Sequence, residues 1–340
     1  MARMKFSDAI DRAVAEAMAK DERVIVMGED VPMLRSGLLA RFGPGRVLGA
    51  PISEAAFTSA GVGAAMAGLR PVVEIWMVDF VACAMDAVLN HMAKLEAFSG
   101  GRWKCPMVIR TGCGGGYGDG GQHEQALWGM LGGIPGLTVL APSNPADAYG
   151  LMASALAHDG PVIFLEHKLL SEQMLEFLGR AGRNTVSFDL PADGVECEVP
   201  ENPATVPLGS AKVLRDGADI TIVSLAVGVH RSLEAARVLE AEGVGCDVID
   251  LRTVRPLDAA AITASVSKTG RLLVVDEDYR ECGLSGEVAA VALEAGLRPL
   301  FARVCLEETV PFARHLEARA FPNVERIAVA ARKLMASAGS

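Results

Sequence analysis

A glutamate and a histidine stand out as side chains that could do acid–base chemistry. Glu54 follows Ser53, a plausible helix cap, at the start of a stretch of very small residues, and the dipole of a helix beginning there favours a carboxylate. His123 follows a glycine-rich run over 112–121, and such loops bring backbone close to ligands. From their neighbours alone, Glu54 belongs to a capped helix, and His123 is either a ligand contact or a structural histidine.

The same glycine-rich run imitates a dinucleotide-binding turn. Residues 116–121 satisfy G-x-G-x-x-G, but such a turn should leave a strand directly and be followed by an acid about 20 residues later. Residues 138–144 contain no acid. His123 and Glu124 open like the zinc-binding H-E-x-x-H helix, but Leu127 occupies the position of the second histidine. We therefore predict neither a dinucleotide site nor a zinc site here.

A third pattern pairs Gly118-Asp119-Gly120 with Asn144, 24 residues further on. It imitates the G-D-G…N motif that holds Mg²⁺ and diphosphate in thiamine enzymes, and carboxylate and amide oxygens are ligands that Mg²⁺ prefers. In that motif the turn ends a strand and opens a helix of small residues, whereas here it precedes Gln-His-Glu-Gln at 122–125. We interpret the match as a coincidence within a glycine-rich loop.

Short apolar runs alternate with helical patterns along the first half of the chain. The run over 24–27 is typical of strands buried on both faces of a parallel sheet. Ser7 is a plausible cap of the first helix, and Asn144 with Pro145 predicts the start of another. The alternation predicts parallel α/β layers. Predicted strands lie at 24–27, 72–75, 107–110, 137–140 and 162–165, and predicted helices at 7–20, 55–67, 80–97 and 145–157.

The alternation stops near residue 175 and resumes after a proline-rich stretch. The prolines and weak periodicity between 180 and 208 indicate an interdomain linker. We predict two α/β domains, 1–180 and 208–340, joined by a linker over 181–207. In the second domain, predicted strands lie at 220–226, 245–251, 272–276 and 301–305, and predicted helices at 229–242, 257–268, 283–296 and 324–336.

The composition excludes several classes of protein. The 340 residues are 51% apolar and carry a net charge of −10 without a Lys/Arg run, which disfavours nucleic acid and anionic membranes as partners. Seven cysteines without a C-x-x-C pair indicate reduced, mostly buried thiols in a cytoplasmic protein. The acids Asp8, Asp11 and Glu16 argue against a leader or transit peptide, and no apolar run approaches the roughly 20 residues that a bilayer requires.

An ordered set of motifs resembles one family along nearly the whole chain. Together they look like the β subunit of a thiamine-diphosphate-dependent E1 component, as in pyruvate, branched-chain 2-oxo acid and acetoin dehydrogenase complexes, with acetoin-type subunits most similar. This resemblance implies two parallel-sheet, three-layer α/β domains: a transketolase-type pyrimidine-binding domain and a transketolase C-terminal domain. The motifs are Ile-Ser-Glu (52–54), the small-residue helix 61–68, Leu-Arg-Pro-Val-Val-Glu (69–74), Asp-Phe (79–80), Gln-His-Glu-Gln (122–125), Ile-Pro-Gly-Leu (134–137), the segments 161–170, 206–209 and 250–257, and the stretch 276–287.

The resemblance implies that the cofactor lies between two subunits. The α subunit would hold Mg²⁺ and the diphosphate, and this chain would receive the aminopyrimidine. Glu54 would hydrogen-bond the ring nitrogen N1′, which promotes the imino form of the exocyclic amine that removes the thiazolium C2 proton. Phe80 would stack on the pyrimidine, with Ile52 and Trp76 lining the same pocket. His123 would lie at the mouth of the active site and contact substrate or the lipoyl acceptor.

Further positions follow from the same resemblance. Glu124 stands where serine is common, and we expect it to add a negative charge near the mouth; Trp76 stands where the family often has a smaller residue. A monovalent cation, usually potassium, would be held by backbone carbonyls. The acidic run Asp276, Glu277 and Asp278 is expected to be solvated surface charge. The carbonyls that match the cation site belong to Met107, Ala155, His158 and Gly160.

The sequence thus predicts the β subunit of an α₂β₂ enzyme that cleaves acetoin or decarboxylates pyruvate or a branched-chain 2-oxo acid. The acyl unit would pass to a lipoyl group on an E2 acyltransferase. Three alternatives stay open. They are a split transketolase or deoxyxylulose-type thiamine enzyme, an NAD-binding oxidoreductase, and a non-catalytic homologue.

Overall fold

The computed structural model describes residues 2–116, 118–171 and 190–337. Residues 181–189 of the predicted linker lie outside this part of the chain. Among the described residues, no helix is both long enough and apolar enough to cross a membrane.

The strands follow the predicted buried runs and add several shorter ones. Each predicted strand is present, with its ends shifted by a few residues. The fourteen strands of the described residues are β1 (Ala2–Lys5), β2 (Val24–Glu29), β3 (Val47–Ala50), β4 (Arg70–Ile75), β5 (Val108–Cys113), β6 (Thr138–Leu140), β7 (Val162–His167), β8 (Glu196–Val199), β9 (Lys212–Arg215), β10 (Ile220–Ser224), β11 (Cys246–Asp250), β12 (Thr253–Arg255), β13 (Arg271–Tyr279) and β14 (Leu300–Leu306).

The helices include the long ones that the periodicity predicts. The α-helices of the described residues are α1 (Phe6–Lys20), α2 (Val31–Leu34), α3 (Ser36–Phe42), α4 (Glu54–Met66), α5 (Leu95–Phe98), α6 (Trp128–Gly132), α7 (Pro145–Ala157), α8 (Ala192–Val195), α9 (Val227–Glu240), α10 (Ala259–Thr269), α11 (Leu284–Glu294), α12 (Arg314–Ala320) and α13 (Val324–Ala336).

Two main sheets organise these elements. The first has the order β12-β6-β7-β5-β4-β2-β3, with every pairing parallel except that of β12. The second has the order β14-β13-β10-β11-β9, parallel except for β9. Helices cover both sheets, as parallel strands buried on both faces require. The predicted α/β architecture is therefore confirmed.

The prediction of one regular helix over 80–97 is wrong. The chain forms a 3₁₀ helix over Val78–Ala84, a π-helix over Asp86–Met92 and then α5. Buried residues recur every three positions in the first segment, at Val78, Val81 and Ala84, which matches the three-residue turn of a 3₁₀ helix. Packing against the core thus sets the pitch here.

Two segments cross between the halves of the chain. β8 pairs antiparallel with β1, so residues of the predicted linker form a ribbon with the N-terminus. β12 leaves the second half and pairs with β6 at the edge of the first sheet. One apolar core is continuous across both sheets, and it includes Ile109 of β5 and Val223 of β10.

One of two predicted helix caps is confirmed, and the other is wrong. Asn144 caps α7, since its side-chain oxygen accepts the N–H of Asp147 at 2.9 Å, as predicted. Ser7 is not a cap, because α1 begins one residue earlier and the Ser7 hydroxyl donates instead to Glu166 Oε1 at 2.7 Å.

Candidate active site

Helix α4 carries Glu54 in its first turn. Ser53 precedes the helix as predicted, but its carbonyl, and not its side chain, accepts the N–H groups of Ala56 and Phe57. The glycines and alanines of α4 allow a close approach to β4: a Cβ on Gly61 would lie 2.7 Å from Val73 Cγ2. The small residues therefore serve helix–sheet packing on one side.

The other side of α4 is open. Glu54 is half-buried at the margin of this exposed face, and Ile52, just before the helix, is 74% exposed. A contiguous exposed face of small residues suits contact with another protein surface. The exposed members on α4 are Ala55, Ala56, Ser59, Ala60 and Gly63.

A second carboxylate near Glu54 escaped the sequence analysis. Glu29 ends β2, and burial, followed by the charges of Asp30 and Glu54, raises its pKa. Ligands of parallel α/β proteins bind beyond the carboxyl ends of the strands. The position of Glu29, two residues after the apolar run 24–27, was therefore the signal that could have found it.

Phe80 and His123 are in contact. Their rings meet edge to face, with centroids 5.6 Å apart and planes at 82°. The neighbouring side chains are tied as well: Gln125 Nε2 donates to Asp79 Oδ1 at 2.7 Å, and the Tyr279 hydroxyl donates to Gln125 Oε1 at 2.9 Å. The 3₁₀ helix that carries Phe80 packs against α4. The fold thus brings Phe80, His123 and the Glu54 helix to one region.

Glu124 is buried, and the expectation that it places charge at the mouth is wrong. Its side chain is fully enclosed, and its carboxylate accepts the backbone N–H groups of Gly116 (3.2 Å), Gly118 (2.9 Å) and Gly120 (3.0 Å). The glycine-rich loop curls around the carboxylate because its amides need an acceptor once they leave water. His123 remains half-exposed beside it.

Lys168 lies beneath this loop. It is completely buried, and its ammonium donates to the backbone carbonyl of His123. Burial lowers the pKa of Lys168, while the negative charges of Asp79 and Glu124 act in the opposite direction. The sequence analysis did not single out this lysine, although a lysine directly after the buried strand β7 was a signal.

Trp76 follows β4 and lines a small cavity beside a buried charge network. The cavity is also lined by Arg35, Glu74, Arg110 and Glu166. Arg35 donates to Glu74 at 2.7 Å, and Arg110 donates to Glu166 at 2.6 Å. Trp76 therefore shares this cavity with the buried charge network.

The acidic run at 276–278 is buried, contrary to expectation. Asp276, Glu277 and Asp278 are at most 4% exposed. Burial raises the pKa of Asp276 to about 7, helped by the charge of Asp278. Glu277 pairs with His167 Nε2 at 2.6 Å and with Arg231. These carboxylates join the second sheet to the first half of the chain, so they are structural partners.

The four predicted cation positions lie near one another. Ala155 lies in the last turn of α7, and His158 and Gly160 follow that helix. The Met107 carbonyl accepts the N–H of Val162 at 2.9 Å. The carbonyl of Ala155 accepts from His158 N at 3.2 Å. The Arg70 guanidinium donates to the His158 carbonyl at 2.6 Å, so a bound cation would lie beside a fixed positive charge. Cation binding at these four carbonyls stays a prediction.

The geometry also bears on the patterns that were set aside. After β5 the chain runs through a loop to α6, so residues 116–121 do not form the strand–turn–helix of a dinucleotide site. Asn144 is occupied as the cap of α7. Among the described residues, no group of three or more His, Cys, Asp and Glu side chains is arranged to hold a metal ion.

Two family profiles match the chain. The profile described as the transketolase pyrimidine-binding domain covers residues 2–173, and that of the transketolase C-terminal domain covers residues 209–327. A solved structure described as a split-gene transketolase, an inactive β4 tetramer, is similar over 98% of both chains with a TM-score of 0.78. At 20% identity, that likeness concerns the fold alone. The fold thus defines a two-domain protein of the transketolase type.

Curated relatives show which family within this class the chain belongs to. The β subunit of acetoin:2,6-dichlorophenolindophenol oxidoreductase from Cupriavidus necator is 38% identical, with 96% of each chain covered. The pyruvate dehydrogenase E1 β subunit of Rickettsia bellii is 37% identical (96% of this chain, 97% of the relative). The 2-oxoisovalerate dehydrogenase β subunit of Bacillus subtilis is 36% identical (98% and 99%). The chain belongs to this family of E1 β subunits, which are components of thiamine diphosphate-dependent oxidoreductases.

Proposed function

We propose that this chain is the β half of a heterotetrameric E1 enzyme that cleaves acetoin or decarboxylates a 2-oxo acid, and that the acyl unit passes to a lipoyl group on an E2 partner. The family supports the reaction class, and its three relatives name acetoin, pyruvate and 2-oxoisovalerate enzymes. The substrate among these three is left to experiment. The proposal includes two domains, 1–180 and 208–340, with a linker over 181–207, and a cytoplasmic location.

The observation that carries the proposal is the half-buried Glu54 carboxyl on the open small-residue face of α4. An α subunit covering this face would enclose the carboxyl and exclude water from it. Thiamine diphosphate, when bound there, would supply a carbanion that attacks the substrate carbonyl.

The residues present fit the aminopyrimidine half of that cofactor. Glu54 would hold a proton at the ring nitrogen, and Phe80 would fix the plane of the ring by aromatic contact. Ile52 and Trp76 would supply apolar surface. His123, already in edge-to-face contact with Phe80, would orient the substrate or the lipoyl acceptor at the mouth. Mg²⁺ would be held mainly by the α subunit, and potassium, if bound, by the carbonyls near Gly160.

The test is Glu54→Gln in the heterotetramer co-purified with its α subunit. Turnover is measured with acetoin, pyruvate and 2-oxoisovalerate, and with dichlorophenolindophenol as the electron acceptor. Loss of a positioned acid–base group costs roughly 10²–10⁴-fold in rate. We expect a fall in this range without loss of assembly. Glu22→Gln, at an exposed turn, is the matched control and should leave turnover unchanged.

Near-normal turnover of the Glu54→Gln heterotetramer would refute the proton role. Activity only with a sugar acceptor, and none with an artificial electron acceptor, would instead favour a split transketolase. Specific binding of NADH by the chain alone would favour the dinucleotide alternative.

A further inference from the structure

The loop that presents His123 is built around a buried carboxylate. Glu124 accepts three backbone N–H groups, from Gly116, Gly118 and Gly120, at 2.9–3.2 Å. Such charge-assisted hydrogen bonds are about twice as strong as neutral ones. All three glycines have positive φ, between 74° and 112°, so the amides can point at one centre. The conformation of the loop therefore depends on the Glu124 side chain.

The other end of the loop is held by a buried cation. Lys168 donates to the carbonyl of His123, the residue directly before Glu124. Both charged side chains have no exposed surface, and they lie near enough for the charge of Glu124 to act on Lys168. The carboxylate thus fixes three amides that precede His123 in the loop, and the ammonium fixes the peptide group directly after it.

Residues of the second domain pack against the loop. A Cβ on Gly120 would lie 3.1 Å from Phe312 Cδ2, and one on Gly121 would lie 2.6 Å from Thr309 Cγ2. A Cβ on Gly115 would lie 2.1 Å from Phe321 Cζ. The loop therefore lies between the Glu124–Lys168 pair and residues 309–321, and loss of either buried charge would remove hydrogen bonds that hold the loop from the inside.

We propose that Glu124 and Lys168 are positioning residues, which fix the glycine-rich loop in the one conformation that presents the His123 imidazole beside Phe80. The proposal rests on the function proposed above only for the role of His123. Neither residue touches the reacting atoms; each acts through His123. A displacement of about 1 Å at a catalytic group can cost roughly 10²-fold in rate, so the effect on turnover should be large.

Glu124→Gln tests the carboxylate. A glutamine offers one acceptor oxygen in place of two, so at least one of the three loop amides faces an N–H₂ group and loses its partner. We expect kcat to fall between 10- and 100-fold in the heterotetramer, and the amides of residues 112–125 to exchange their hydrogens at least tenfold faster. Lys168→Met, which removes the donor to His123, should have the same two effects. Glu22→Gln and Lys20→Met, at exposed positions, are the controls.

A double-mutant cycle separates positioning from general stability. In a His123→Ala background, Glu124→Gln should change kcat by less than threefold, because the group that it positions is already gone. An equal loss of kcat in both backgrounds would overturn the proposal. So would unchanged exchange over residues 112–125, or faster exchange that spreads equally over β5 and β7.

The exchange measurement also keeps the two proposals apart. It needs only the purified full chain, so it reports on the loop even if none of the three substrates is turned over. Faster exchange confined to the loop, with no activity in the unsubstituted enzyme, would reject the proposed function and keep the structural role of Glu124 and Lys168. Normal activity with unchanged exchange in both variants would reject the positioning role of Glu124 and Lys168 and keep the proposed function.

Discussion

The indole N–H of Trp128 donates to Asp276 Oδ1 with an N···O distance of 2.7 Å, which links the two sheets. Trp128 begins α6, beside the first sheet, and Asp276 lies on β13 in the second. Asp276 also accepts the backbone N–H groups of Asp278 (2.9 Å) and Ser285 (3.0 Å). Both carboxylate oxygens are thereby engaged, and Trp128 is 1% exposed. The two halves of the chain share a buried polar contact as well as an apolar core.

Trp128→Phe should weaken this contact. The substitution keeps an aromatic ring but removes the donor, and loss of a hydrogen-bond partner by a buried polar group costs about 1–3 kcal/mol. We expect a lower midpoint of urea unfolding. Trp103→Phe is the control, since Trp103 is 49% exposed and should show little change. Equal shifts for the two variants would show that ring size, and not the bond to Asp276, matters.

Asp250 makes the stability depend on pH. Burial raises its pKa to about 7, with a further contribution from the charge of Asp147, against the hydrogen bond from Ser143. An unfolded aspartate has a pKa of about 3.9, so between these values the folded chain binds more protons. The stabilising contribution is complete below about pH 4 and is lost as the pH rises through about 7.

Asp250→Asn should remove this loss. An asparagine can still accept from the N–H of Arg252 and donate to the Ser143 hydroxyl, but it does not titrate. At about 1.4 kcal/mol per pKa unit, we expect the variant to gain up to about 4 kcal/mol at pH 8 and little at pH 4. Unfolding midpoints between pH 4 and 8 measure this. Asp216→Asn, at a side chain 90% exposed, should follow the parent curve; a parallel curve for Asp250→Asn would contradict the prediction.

The sequence predicts the strands well because burial leaves a local signature. The run Val24–Ile25–Val26 becomes part of β2, and all three residues are buried between helices on both faces of the sheet. A parallel strand must be apolar throughout, and this can be read without knowing its neighbours. The same is true of the apolar part of β7, Val162 to Leu165. The order of the strands in each sheet is not contained in these runs.

The polar core is not predictable in the same way. Glu124 and Asp276 look like surface charges because their partners are backbone amides and side chains set by the tertiary fold. Trp128 lies 148 positions from Asp276 in the sequence, so no local pattern joins them. For Glu124 the partners are only four to eight residues away, but the loop must curl back to reach it. Charged residues are buried only when such partners exist, and sequence spacing does not reveal them.

Arg110→Met should destabilise the fold, because Arg110 belongs to the buried charge network that shares a cavity with Trp76. Arg110 is 2% exposed and pairs with Glu166 at 2.6 Å and Asp11 at 2.5 Å. Burial alone would raise the pKa of Glu166, but the charge and hydrogen bond of Arg110 outweigh it and lower the pKa to about 2. Removing one partner of a buried ion pair costs about 3–5 kcal/mol. We expect that loss at pH 7, measured by urea unfolding.

The pH dependence of this variant has a defined sign. In the parent, the depressed pKa of Glu166 stabilises the fold above about pH 4.5 and that stabilisation is lost as the pH falls toward 2. Without Arg110 the buried carboxyl is free to take up a proton, so the difference between variant and parent should shrink from pH 7 to pH 4. Arg23→Met, at an exposed ion pair, is the control. A difference in the free energy of unfolding that stays constant from pH 7 to pH 4 would contradict the conclusion that Arg110 lowers the pKa of Glu166.

Gly136→Ala should destabilise the fold through a backbone clash before β6. Gly136 has a φ of +97°, and a Cβ there would lie 2.0 Å from the carbonyl oxygen of Ala93. Gly43→Ala is the matched control: its φ is +76°, but nothing lies within 4 Å of the added carbon. A positive φ alone strains a residue that has a Cβ and costs roughly 1–3 kcal/mol. We expect Gly43→Ala to lose about that much, and Gly136→Ala to lose about 4 kcal/mol or more, as substitutions that force backbone apart do. If both variants lost the same free energy of unfolding, φ strain would account for Gly136 entirely and the close approach to Ala93 would carry no cost.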